Sequence, residues 1–267
     1  MTGSKTSNSR KTSARRKQYT SPALEKGLDI LELLAEEPQG LNISQLAKRQ
    51  GRSVGQVFRM IAVLEQRGYI QLREDSDAYV ITLKMFELSH RFPPVARLSA
   101  VAVPLMKRLA LESGQSCHLV IYYEGRGHVV AQQDAPTERI FSVRLGATAA
   151  LMGSCSGHVL LAFADDETRS SMLSHIPKQQ KGPRSTEVKK LVERVRAQGN
   201  EIMKSAQVQG VQDIGFPIFD RSGQIAAALV TPFVSYLDGS LSVSLDRAVE
   251  LTSGAATQIS SELGFVA

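Results

Sequence analysis

The chain has 267 residues, of which 42% are apolar, and it contains two cysteines and no tryptophan. This apolar fraction is typical of globular proteins, so the composition excludes a chain that is disordered throughout. No apolar run approaches the roughly 18 residues that a membrane-spanning helix needs, and we expect no membrane partner. The lone Cys117 and Cys155 cannot form a disulfide framework. We therefore expect a protein of the reducing cytoplasm.

The positive charge is concentrated at the N-terminus. The formal net charge is +6, from 32 basic and 26 acidic residues. Residues 1–18 hold six basic residues and no acidic one, so the rest of the chain is neutral in sum. Because this segment also has almost no apolar residue, we interpret it as a disordered basic arm. Such an arm either keeps the chain soluble or contacts DNA phosphates or the minor groove.

Residues 19–81 begin with a helix. Ser21-Pro22 is a typical helix start, because a hydroxyl can cap the helix and proline needs no hydrogen bond there. Pro38-Gln39-Gly40 ends the helical segment. One apolar stripe is predicted for this helix, formed by Leu24, Leu28, Leu31 and Leu34.

Two short helices follow, and each begins with a capping-box pattern. The first starts at Asn42-Ile43-Ser44-Gln45 and ends at Gly51. The second starts at Ser53-Val54-Gly55-Gln56. Its predicted core residues are Val57, Ile61 and Leu64. Two amphipathic helices joined by such a tight turn are typical of a helix-turn-helix.

A hairpin is predicted after the second of these helices. The pattern of apolar residues changes from helical to alternating in Tyr69–Leu72 and Tyr79–Ile81, which lie on either side of a polar turn, and this change predicts two strands. The whole segment predicts a winged helix-turn-helix domain. The alternative is a small helical interaction domain with an incidental hairpin.

The distribution of charge favours DNA binding. Residues 38–73 hold six basic residues and a single acid, Glu65, whereas the first helix is acidic. Basic residues thus collect where a recognition helix meets phosphates. The acidic tip of the wing should contribute little beyond its one arginine. The predicted DNA-contact residues are Ser44, Arg52, Ser53, Val54, Gly55, Gln56, Arg59 and Arg73.

Residues 82–93 are predicted to form a linker helix that stops at Phe92-Pro93-Pro94. Residues 94–267 then mix helices and strands. The predicted helices are Val101 to about Gly114, 156–164, 166–175, 186–198 and Val243–Leu263. The predicted strands are Cys117–Tyr123, His128–Gln132, Ile140–Val143, 201–203, 214–218 and 225–231. This order indicates an α+β domain with a largely antiparallel sheet.

The run Gly153-Ser154-Cys155-Ser156-Gly157 admits three interpretations. It matches a nucleophile elbow with Cys155 as the nucleophile, but no convincing strand precedes it and no parallel α/β series surrounds it. Cys155, His158 and Asp213 are conceivable metal ligands, although no spacing resembles a structural zinc site. We favour a glycine-flanked helix start whose N–H groups hold an anion, and we expect no catalysis, metal or cofactor.

Several longer motifs resemble the IclR family of bacterial regulators, and together they cover essentially everything after the basic arm. They are ALEKGLDILELLAEEPQG with the helix-turn-helix that follows it, YVITLKMFELS, SGHVLLA, RAQG and GVQDIGFPIFDRSGQIAAAL. The resemblance implies a winged helix-turn-helix, a linker helix and a GAF-like effector domain that binds a small molecule. It also implies a homodimer or homotetramer. Ser53–Gln56 departs from the family's usual Pro-Lys-Ser-Thr-like run, and Phe58 stands where His is common.

The resemblance also implies an effector site. Its residues are Met152, Gly153, Ser154, Gly157, His158, Met203, Asp213, Val230 and Pro232. His158 stands where Lys is frequent, Asp213 where Cys is frequent, and two frequent serines are replaced by apolar residues. We therefore expect a pocket more apolar than usual and a small organic acid, such as an aromatic one, as effector.

These observations predict a cytoplasmic, ligand-responsive repressor that binds double-stranded operator DNA as a symmetric oligomer. One alternative is a hydrolase that depends on Cys155. The other is a ligand sensor whose helix-turn-helix has become an oligomerisation surface.

Overall fold

The computed structural model describes residues 21–90, 93–176, 185–236 and 243–266. The basic arm of residues 1–18 lies outside this range. The chain divides into two compact units at the junction between Arg91 and Phe92. Among the described residues, none of the helices combines the length and the apolar character that a membrane crossing requires.

The N-terminal unit is a winged helix-turn-helix, as predicted. Its elements are α1 (Pro22–Ala35), α2 (Ile43–Gln50), α3 (Val54–Gln66), β1 (Ile70–Leu72), β2 (Tyr79–Ile81) and α4 (Lys84–His90). The strands β1 and β2 pair in antiparallel fashion. Gly51 ends α2 in the left-handed region with φ of 62°, which glycine adopts without steric strain. This glycine makes the tight turn into α3 possible.

The apolar stripe predicted for α1 was wrong in its first half. Leu24 is 62% exposed and Leu28 is 49% exposed, whereas Ile30 and Leu34 are buried. Ile30 and Leu34 belong to the same apolar cluster as Ile61 of α3. Helical spacing identifies a face, but it does not tell how far along the helix the core extends.

The C-terminal unit is built around one antiparallel sheet, so the predicted α+β class is confirmed. Its helices are α5 (Pro93–Ser113), α6 (Cys155–Phe163), α7 (Asp166–Ser174), α8 (Ser185–Gln198) and α9 (Leu245–Glu262). Its strands are β3 (Cys117–Tyr123), β4 (Arg126–Gln133), β5 (Thr148–Ala150), β6 (Glu201–Lys204), β7 (Val211–Phe219) and β8 (Ile225–Val234). The strand order in the sheet is β5-β4-β3-β8-β7-β6.

The two faces of this sheet contribute to different cores. Leu229 packs in a cluster with residues of α5 and α9. Its neighbour Val230 packs in a second cluster with Cys155 and Val159 of α6. Because successive side chains of a strand point to opposite faces, α6 covers one face and α5 and α9 cover the other.

The strand predicted at Ile140–Val143 was wrong. The edge strand is instead Thr148–Ala150, which pairs with Arg126–His128 at the start of β4. Gly146, with φ of 79°, turns the chain between the two segments. The run Ile140–Val143 contains β-branched and aromatic residues that are common in strands. Pairing of this edge strand with β4 nevertheless begins only after the turn at Gly146.

Candidate DNA-binding face and effector site

The start of α2 is closed by its own side chains. The Gln45 N–H donates to Asn42 Oδ1 at 2.9 Å, and the Asn42 N–H donates to Gln45 Oε1 at 2.8 Å. This is the predicted capping box, and it satisfies two N–H groups of the N-terminal turn.

The start of α3 is open. The side chain of Ser53 makes no capping hydrogen bond, so the second predicted capping box was wrong. The backbone carbonyl of Ser53 instead accepts the N–H groups of Gln56 and Val57. The Ser53 hydroxyl and the first N–H groups of α3 therefore remain available to an external acceptor.

The phase of α3 agrees with the prediction. Val57 and Ile61 are buried and Leu64 is half-buried. Seven of the predicted contact residues are exposed, namely Ser44, Arg52, Ser53, Val54, Gly55, Gln56 and Arg59. The N-terminal turn of α3 thus presents one continuous exposed surface.

The cations around this surface differ in their partners. Within the described ranges, no carboxylate pairs with Lys48, Arg52, Arg59 or Arg67. By contrast, Arg73 of the wing, which is half-buried, donates two hydrogen bonds to Asp75, at 2.8 and 2.6 Å. This pairing lowers the pKa of the Asp75 carboxyl and neutralises the charge of Arg73 locally. Arg73 is therefore less available to phosphates than the cations beside α3.

The implied effector residues of the sheet lie side by side. Met203 of β6 pairs with Asp213 of β7, which pairs with Pro232 of β8. Directly opposed residues of an antiparallel sheet share a face. Val230, two residues before Pro232, lies on the same face, which α6 covers. Strand pairing thus gathers four residues that are far apart in sequence.

The start of α6 is fixed against this face. Ser154 caps the helix, accepting the Gly157 N–H at 3.0 Å and donating to the Ala150 carbonyl at 2.7 Å. The thiol of Cys155 lies directly over Gly215, where an added Cβ would be 2.6 Å from the sulfur. The N–H groups of Cys155 and Ser156 have no acceptor within the described residues. This helix start therefore offers two free donors next to the sheet residues.

His158 has no free ring nitrogen. Its Nδ1 is 3.2 Å from Glu201 Oε2 and its Nε2 is 3.2 Å from the Met152 carbonyl oxygen. Glu201 is buried and also receives two hydrogen bonds from Arg194. Burial would raise the pKa of Glu201, but the hydrogen bonds from His158 and Arg194 more than offset it and lower the pKa. His158 therefore fixes the Met152 loop to a buried ion cluster.

The surroundings of Cys155 do not favour a nucleophile. Burial raises the pKa of this thiol, and the nearby Asp213 and Glu201 carboxylates raise it further. The neighbouring His158 is engaged with other partners, so it cannot act as a base for Cys155. In the described segments, no three or more side chains of the His, Cys, Asp or Glu type are grouped as a metal site requires.

One residue near the site was not predicted. His118 of β3 pairs directly with Val230 and is only 7% exposed. Its Nδ1 has no hydrogen-bond partner in the part of the chain that the structure describes. The sequence shows only a histidine on a strand, and its proximity to the effector residues becomes visible through the strand register.

Comparison with known proteins gives the family. Residues 94–261 match the family described as bacterial transcriptional regulator IclR C-terminal, and residues 23–74 match the IclR helix-turn-helix domain. The chain is 28% identical over 240 residues to the HTH-type transcriptional regulator KdgR of Escherichia coli, covering 88% of this chain and 90% of that protein. It is 25% identical over 257 residues to the HTH-type transcriptional repressor AllR of E. coli, with coverage of 94% and 93%.

A solved structure shares the fold. It is an IclR homolog from Microbacterium hydrocarbonoxydans complexed with 4-hydroxybenzoate, with a TM-score of 0.72 and 20% identity, covering 90% of this chain and 98% of that one. The family matches span both units, the winged helix-turn-helix and the antiparallel effector domain. The chain belongs to the IclR family of bacterial transcriptional regulators, which are ligand-responsive DNA-binding proteins.

Proposed function

We propose that this regulator is a cytoplasmic repressor without enzymatic activity that binds its operator as a homo-oligomer, through the N-terminal turn of α3. The observation that carries the DNA-binding mode is the open start of α3, which lies between cations that pair with no carboxylate of the described residues. The exposed Leu24 and Leu28 support an oligomer, because clustered exposed apolar residues mark protein contact surfaces. The relative AllR, which is named a repressor, supports the sign of regulation.

Each residue of the α3 turn has a suitable role at DNA. The free N–H groups of α3, with Ser53 and Ser44, suit phosphate oxygens. In the major groove, Gln56 suits an adenine edge and Arg59 suits guanine or a phosphate. Val54 suits a thymine methyl group. Binding of the effector would then change the spacing of the paired DNA-binding units.

Gly55 provides a test that leaves the fold intact. No atom lies within 4 Å of a Cβ added at Gly55, so Gly55→Ala should be tolerated and should raise the free energy of unfolding by about 0.5–1 kcal/mol. The new methyl group would point toward DNA and separate α3 from the groove. We expect about tenfold weaker operator binding, measured by fluorescence anisotropy on sites selected from a random DNA library.

Gly27→Ala in α1 is the matched control. It is the same substitution in a helix, and no atom lies within 4 Å of its added Cβ either. We expect it to increase stability without weakening DNA binding. A folded Gly55→Ala protein with full operator affinity would exclude the proposed approach of α3. Absence of any DNA binding by the oligomeric wild-type protein at low salt would contradict operator binding itself.

For the effector site, we propose a small monocarboxylic acid with an apolar or aromatic body. The free N–H groups of Cys155 and Ser156 suit one carboxylate. The buried Val230 and Pro232 suit an apolar body. Burial already disfavours the charged form of Asp213 and raises its pKa. A second carboxylate of the effector beside it would be unfavourable, so we expect an effector with a single acid group.

Thermal unfolding tests this effector class. Benzoate or phenylacetate at about 100 times its dissociation constant should raise Tm by about 5 °C or more. Phthalate and succinate should have little effect on the wild-type protein, and Asp213→Asn should make phthalate more effective. Stabilisation by short hydrophilic acids alone would show that the proposed class is wrong.

A further inference from the structure

His118 stands out among the buried polar residues of the C-terminal unit. Its side chain is 7% exposed, and its Nδ1 is buried without a hydrogen-bond partner among the described residues. Most buried polar side-chain atoms in folded proteins have a partner, because an unpaired one lowers stability by about 1–3 kcal/mol. An unpaired buried nitrogen in a strand of the central sheet therefore needs an explanation.

The position of His118 connects it with the effector site. It is directly opposite Val230 of β8, and Val230 is two residues from Pro232, which pairs with Asp213. The imidazole therefore lies on the sheet face that carries the implied effector residues and is covered by α6. Its strand partner Val230 belongs to the same apolar cluster as Cys155, the first residue of α6.

The polar neighbour of His118 on the other side is already engaged. His118 also pairs with Gln132 of β4. The Gln132 amide accepts the Leu145 N–H at 3.1 Å and donates to Ser142 Oγ at 3.2 Å and to Asp134 Oδ1 at 2.6 Å. Through these hydrogen bonds the Gln132 side chain holds the segment that follows β4. The protein thus leaves His118 without a partner from the adjacent strand.

The chemistry of His118 indicates what it can bind. Burial lowers its pKa to about 4, so the imidazole is neutral at physiological pH. A neutral imidazole has one donor and one acceptor nitrogen. It is therefore suited to a hydroxyl group, which can both donate and accept, and it lacks the charge that would attract a second carboxylate.

We propose that His118 is a specificity-determining residue of the effector site and that its Nδ1 forms a hydrogen bond with a hydroxyl group of the effector. The preferred effector is then a hydroxylated monocarboxylic acid. This inference rests on the proposed effector class. It adds a second polar contact, on β3, to the carboxylate contact at the start of α6.

The test compares acids that differ by one hydroxyl group. Isothermal titration of the full-length protein would use benzoate and the three hydroxybenzoate isomers. We expect the best isomer to bind the wild-type protein at least about tenfold more tightly than benzoate, because a site built for a hydroxyl discriminates against the analogue that lacks it. His118→Leu should reduce this ratio to about twofold or less, because it removes the hydrogen bond that only the hydroxylated acids can form.

Two further measurements separate a binding role from a structural one. Asn places an amide atom near the position of Nδ1, so His118→Asn should retain most of the hydroxyl preference. Without ligand, His118→Leu should raise Tm by about 2–4 °C, because it removes a buried unpaired polar atom. A large drop in Tm for both variants would indicate that His118 is needed for the fold and would overturn the proposal.

The outcomes distinguish this inference from the proposed function. If the acids bind but the hydroxyl group makes no difference, or if His118→Leu retains the preference, the role of His118 is wrong and the effector class stands. If no acid of either kind binds, the effector class fails, and the hydroxyl preference fails with it.

Discussion

Alanine at Gly157 is expected to destabilise the C-terminal unit by about 3 kcal/mol. Gly157 lies in the first turn of α6, and an added Cβ would be 2.4 Å from the Leu151 carbonyl oxygen and 2.5 Å from the Ala150 carbonyl oxygen. Both are backbone atoms, so no side-chain rotation can relieve the contact. Either α6 must move away from the segment that contains Ala150 and Leu151, or this segment must shift. Urea unfolding followed by circular dichroism measures the loss.

Gly254→Ala is the matched control in the same unit. Gly254 lies within α9, and no atom is within 4 Å of its added Cβ. Because alanine is favoured over glycine in a helix, we expect a gain of about 0.5–1 kcal/mol. Similar stabilities for the two variants would show that α6 does not pack as closely on the loop as the structure indicates. The shifted loop in Gly157→Ala should also weaken the response to acids.

The helix-turn-helix could be predicted from sequence because its signals are local. The cap at Asn42, the left-handed Gly51 and the spacing of Val57 and Ile61 each act within a few residues. The prediction of one apolar stripe along α1 failed because the burial of its residues depends on where the neighbouring elements end. The capping box at Ser53 failed because the pattern shows which bonds are possible without showing that they form.

The effector domain was less accessible to prediction because its site depends on strand pairing. The row from Met203 through Asp213 to Pro232 was implied by family resemblance, and the register shows why these residues lie together. No local pattern specifies which strands pair. The position of His118 beside the effector residues was not predicted for this reason, and neither was the strand at Thr148–Ala150.

The ion cluster to which His158 fixes the Met152 loop gives the second large effect on stability. Glu201 is 1% exposed and accepts two hydrogen bonds from Arg194, at 3.0 and 2.5 Å. Arg194→Met would leave this carboxylate buried with His158 as its remaining ionisable partner. Breaking a fully buried pair is destabilising by about 3–5 kcal/mol. Since the Arg194 side chain is 45% exposed, we expect a smaller loss of about 2–3 kcal/mol in urea unfolding at pH 7.

The pH dependence of this loss has a definite sign. The folded-state pKa of Glu201 is below its ordinary value of 4.5 because hydrogen bonds to His158 and Arg194 outweigh the opposing effect of burial. A carboxyl whose pKa is lower in the folded protein than in the unfolded chain stabilises the fold. This stabilisation is complete above the pKa of the unfolded chain and is lost as the pH falls through the pKa of the folded protein. The loss of stability in Arg194→Met should therefore be largest at neutral pH and should become smaller as the pH falls below 4.5 toward the lowered folded-state pKa of Glu201.

Lys189→Met provides the comparison on the same helix. Lys189 pairs with Glu193 at 3.8 Å, and both side chains are mostly exposed. Exposed pairs of this kind contribute about 0–1 kcal/mol, so this variant should lose little stability and show no narrowing at acid pH. Equal losses for the two variants would mean that Glu201 is solvated rather than buried. In that case His158 would no longer anchor the Met152 loop to a fixed charge, and the hydrogen bonds of Ser154 would have to hold this loop.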